Sequence, residues 1–133
     1  MNARHIGAPT LLILAMLVSG CGQTHLTQSV PAAVTRTHGR WTATLSWRKA
    51  PLELKPFKAT LRVKPAAGLT PSSANLIMTE MDMPPVRLQW HTIKPGEYQF
   101  VGIATMAGPW NMNVTFLQDH KPWHATFPVT IDN

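Results

Sequence analysis

The chain is short of three things. Among 133 residues it has one cysteine, one tyrosine and six acidic side chains, the last against twelve lysines and arginines. A lone thiol, Cys21, can form no disulfide within the chain. If it is consumed by modification, the folded part has no thiolate nucleophile and no cysteine ligand for a metal. The carboxylates show no pair at a spacing that suits general acid–base work, so no enzymatic activity is expected. Asp119 and His120 are adjacent but have no nucleophile nearby, and they read as a charged turn. The longest apolar run, Leu11 to Val18, is too short for a mature membrane span. After that run there is no helical period and no internal repeat.

What the N-terminus does have is an order. Arg4 and His5 precede the apolar run, which closes in Val18-Ser19-Gly20-Cys21. Charge, apolar core and small residues in that sequence predict a signal peptide over residues 1–20. The small residues before Cys21 resemble a bacterial lipobox, which predicts lipidation of Cys21 and a membrane partner held through that lipid. The expected location is the cell envelope, on the extracytoplasmic (periplasmic) side. Gly22 in place of an aspartate leans towards the outer membrane where there are two. The formal net charge is +6. Nucleic acid is nonetheless not expected as a partner of an exported protein, and the basic residues are spread singly (Lys58, Arg62, Lys64), as on a solvated face.

Residues 21–40 are polar, small and unpatterned, and read as a lipidated flexible tether that includes His25 and His38. An 18-residue segment reaches roughly 60 Å when extended, enough to hold a small domain clear of a lipid surface. From residue 41 the period becomes two. Trp41, Ala43, Leu45 and Trp47 alternate with Thr42, Thr44 and Ser46. Phe57, Ala59, Leu61 and Val63 alternate with Lys58, Thr60 and Arg62. This is the mark of half-buried antiparallel strands. Further strands are expected over about Asn75–Asp82, Val86–Ile93, Tyr98–Gly102, Trp110–Phe116 and Trp123–Ile131, with turns at Ala66–Ala74, Lys94–Gly96, Met106–Pro109 and Gln118–Pro122. Residues 41–133 are therefore expected to form one all-β domain, an Ig-like antiparallel β-sandwich of about seven strands.

The candidate chemistry lies in the methionines. Met81 and Met83 are two apart, so within a strand both would point the same way, and Pro84-Pro85 would stop that strand at a loop mouth. Met106 sits in a glycine-containing corner. Thioethers prefer soft ions, chiefly Cu(I), and without a free thiol only methionine and histidine remain as ligands. The candidate metal ligands are Met81, Met83 and Met106, with His91 as the nearest imidazole in sequence. Methionines also fill irregular gaps in small cores, and Met78 and Met112 are expected to do that.

Met83-Pro84, then Gly96 and Tyr98, then Met106, Gly108 and Trp110 resemble the pattern of the YtkA-like domain and its FixH-like relatives over about Thr42–Phe116. The resemblance implies a small exported or membrane-tethered sandwich. It also implies copper handling, with a respiratory oxidase or copper-efflux component as partner. Val86 and Arg87 stand where many members add a methionine or Met-x-His, and a permanent cation at Arg87 opposes a cation beside it. The rival expectations are a metal-free docking module that uses the basic face, and a structural envelope lipoprotein.

Overall fold

The computed structural model describes residues 33–133. The expected signal peptide, Cys21 and His25 lie outside the described residues. Nine strands and no helix are found among the described residues: β1 (Ala33–His38), β2 (Trp41–Ser46), β3 (Pro56–Lys64), β4 (Thr70–Met78), β5 (Val86–Arg87), β6 (Gln89–Lys94), β7 (Glu97–Ile103), β8 (Gly108–Gln118) and β9 (Lys121–Ile131). They form two antiparallel sheets, β1-β2-β3-β7-β6 and β5-β4-β8-β9. Without β1 and β5, the order β2-β3-β7-β6 over β4-β8-β9 is the ABED and CFG arrangement of a seven-stranded immunoglobulin constant-type sandwich.

The alternation drives this packing. Ala43, Leu45, Ala59, Leu61, Val63 and Phe100 face inward from one sheet, and Leu76, Met112, Val114, Phe116, Phe127 and Val129 from the other; all are buried. No buried residue is polar or charged among the described residues. Trp41, Trp47 and Trp110 are buried, while Trp90 and Trp123 pack half-buried against the same core. Met78 and Met112 are core residues, as expected. The two prolines within β9, Pro122 and Pro128, are tolerated because β9 is an edge strand and needs no amide donor on its outer side. The β8–β9 hairpin closes in two residues, Asp119 and His120, both at positive φ (48° and 64°). Positive φ at both central positions is the type I′ geometry that matches the twist of the flanking strands.

Four expectations are corrected. The tether expected over residues 21–40 overlaps a strand, since Ala33–His38 pairs along its whole length with β2. The third strand is Thr70–Met78, not Asn75–Asp82. A register shift between Pro71 and Ser73 interrupts its period of two, so its first half resembles a turn. Consequently Met81 and Met83 are not strand neighbours sharing a face. The strand expected over Val86–Ile93 is two: β5 pairs with β4, then the chain crosses at Leu88 to the other sheet and continues as β6.

Candidate functional site

β4 ends at Met78 because its successor turns away from strand geometry. The Thr79 amide and hydroxyl both donate to the Pro109 carbonyl, at 3.1 and 3.0 Å. That pair of bonds ties the start of loop 79–85 to the corner 104–109, and Met78 pairs directly with Trp110 in the ladder. The two methionine-bearing segments therefore lie at the same end of the sandwich.

The corner is held from three sides. The Trp110 indole donates to the Met106 carbonyl at 3.0 Å, and the Ala107 amide donates to Glu53 Oε2 at 3.1 Å. The Leu54 amide donates to the Ala104 carbonyl at 2.8 Å. Gly108 has φ of 125°, and a Cβ there would meet the Met78 methyl carbon at 3.0 Å. A side chain at that position is opposed by backbone strain and by the neighbouring thioether together. This gives the Met106-x-Gly108-x-Trp110 spacing a physical reason: the glycine makes the bend and the tryptophan pins it.

Within this frame the candidate ligands differ. Met83 and Met106 are half-buried and pack against the core, whereas Met81 is 51% exposed at the loop tip. Met81 is flanked by Glu80 and Asp82, so loop 79–85 carries two carboxylates and no cation. Arg87 sits opposite Asn75 in the ladder, down the β5 edge from the loop, where it lines a surface groove. His91 is not brought to the corner. It pairs with Gln99 midway along β6, exposed, on the strand side opposite the Trp90–Phe100 pair. Among the described residues no group of three or more His, Cys, Asp or Glu could hold a metal. The thioethers of Met81, Met83 and Met106 are the soft donors at this end, beside the hard carboxylates of Glu80 and Asp82, and soft donors suit Cu(I) better than a hard ion.

No protein-family model, curated protein or solved structure matches the chain. The likeness to YtkA-like domains accordingly rests on Met83-Pro84, Gly96, Tyr98, Met106, Gly108 and Trp110 alone.

The opposite end holds a feature that the sequence hid. His38, expected as a solvated linker histidine, lies between two indoles. Its ring stacks on Trp123 at 4.7 Å and faces Trp41 at 6.4 Å. Phe116 stacks behind Trp123 at 4.9 Å, and the Arg40 guanidinium lies over Trp41 at 4.6 Å. His38 Nε2 also shares a 3.1 Å hydrogen bond with Gln118 Oε1. The clue in the sequence is the alternation Val34, Arg36, His38, which matches Leu45, Ala43 and Trp41 across the ladder.

Proposed function

We propose that this protein is a lipid-anchored extracytoplasmic domain that carries Cu(I) on the thioethers of Met81, Met83 and Met106. The observation that supports this best is the double hydrogen bond from Thr79 to Pro109, which sets loop 79–85 beside corner 104–109. One exposed methionine and two half-buried ones at the same end suit capture and release of a soft ion better than permanent storage. The carboxylates of Glu80 and Asp82 offset the cation repulsion that Arg87 would otherwise impose. By its likeness to YtkA-like domains, the receiving partner is a respiratory oxidase or copper-efflux component.

A second reading is favoured by a different observation. The outer side of the five-stranded sheet displays Lys58, Arg62 and Lys64 along one strand, so a metal-free module could dock an acidic partner there. One experiment separates the two. The full chain is titrated with Cu(I) under reducing conditions against a chromogenic chelator, alongside Met83→Leu/Met106→Leu. The copper reading expects competition by the native chain and its loss in the double variant. Failure of the native chain to compete at all leaves the docking module.

A further inference from the structure

The sandwich is closed along one edge and open along the other. On the closed edge β1 reaches β9, where Arg36 Nε donates to the Thr126 carbonyl at 2.8 Å. On the open edge the chain crosses between sheets at Leu88. Beside that crossing runs a groove of about 590 Å³ lined by Ser73, Asn75, Arg87 and Trp90, with Leu88 buried beneath.

The groove is built rather than incidental. Leu88 rests on Gly102 so closely that a Cβ there would collide with its Cδ2. Trp90 is braced by Tyr98, edge-on at 5.8 Å and 83°, and by Phe100 at 6.1 Å. Asn75 Oδ1 is buried without a hydrogen-bond partner, an acceptor still owed a donor. Arg87 is the only charged side chain in the lining.

Beyond the groove, the outer side of β4-β8-β9 continues as rows of hydrogen-bonding side chains. Asn75 aligns with Asn113 and Thr126, and Ser73 with Thr115 and His124. The Thr126 hydroxyl donates to Asn113 Oδ1 at 2.9 Å, leaving the Asn113 amide hydrogens to spare. The lysines and arginines of β3 all lie on the other sheet. A groove lined by amide and hydroxyl groups with one cation and one braced indole suits a polyhydroxylated ligand. A peptide carrying charges of both signs would find only Arg87 in the groove to answer them.

We infer that this groove binds an oligosaccharide bearing carboxylate groups. Trp90 packs on the apolar side of a sugar ring, Arg87 pairs with a carboxylate, and Ser73 and Asn75 answer hydroxyls. None of the methionines lines the groove, although Pro85 of loop 79–85 does. The test is calorimetric titration of the full chain with a galacturonate hexamer, the neutral cellohexaose and a hexaglutamate peptide. The galacturonate hexamer binds. Trp90→Ala and Arg87→Ala each weaken it by at least about tenfold, which is 1.4 kcal/mol. Trp90→Phe, which keeps the packing on Tyr98, retains measurable binding, and Lys58→Ala/Arg62→Ala leaves affinity unchanged. The inference is overturned if the native chain binds no galacturonate, or if hexaglutamate or cellohexaose binds as tightly. A loss that follows Lys58 and Arg62 rather than Arg87 overturns it too.

Discussion

At one end of the sandwich His38 is clamped between Trp123 and Trp41, with Phe116 and Arg40 extending the stack. At the other end the chain presents methionines, two consecutive prolines and a glycine bend, and no stacked aromatic pair is found there among the described residues. The first end is rigid because flat rings fix each other's orientation. The second is held at its root by hydrogen bonds to backbone carbonyls, from Thr79 to Pro109 and from the Trp110 indole to Met106, while the loop tip projects into solvent. One end thus spends its side chains on order and the other leaves them available, which is the division expected if only one end exchanges a ligand.

Mutations at the two ends sharpen this contrast. The largest loss is expected from Trp110→Ala. It empties a site that is 1% exposed and removes the donor to the Met106 carbonyl, so stability falls by about 3–5 kcal/mol in urea denaturation. Copper competition should weaken in the same variant, because the corner loses its pin. Met83→Leu/Met106→Leu nearly conserves volume and should cost under about 1.5 kcal/mol while abolishing Cu(I) competition. A large stability loss there would instead mark both residues as plain core. His38→Ala should cost about 1 kcal/mol, with a coupling of similar size to Trp123→Ala in a double-mutant cycle, and should leave copper binding untouched.

The smallest effect concerns Tyr98. Burial raises its phenol pKa above the ordinary value of 10.0, so the fold favours the protonated form. The stabilisation is complete below pH 10.0 and is lost as pH rises through the higher folded value. Urea midpoints measured between pH 9 and pH 11 should decline in the native chain and flatten in Tyr98→Phe.

The long elements were readable from residues alone because their inward positions are apolar without a break, as in Trp41–Trp47, Phe57–Val63 and Trp123–Ile131. What escaped did so for local reasons. β1 carries Arg36 and His38 on its inward side, where a carbonyl and two indoles satisfy them, and two polar side chains among its three inward positions look like a linker. β4 begins before its bulge, so Pro71 to Ser73 resemble a turn. The crossing at Leu88 keeps one unbroken alternation while the chain changes sheets, which no period can reveal. Of the candidate ligands, Met83 and Met106 were placed by their proline and glycine neighbours. His91 was linked by sequence distance alone, and the sheet turns it away.

The most direct test observes each thioether separately. With methionine methyl groups labelled with carbon-13, Cu(I) is titrated into the full chain under reducing conditions and the methyl resonances are followed. The copper account predicts that the signals of Met81, Met83 and Met106 shift together and saturate, while those of Met78 and Met112 stay in place. Unmoved signals from all three, or shifts confined to other methionines, would contradict it.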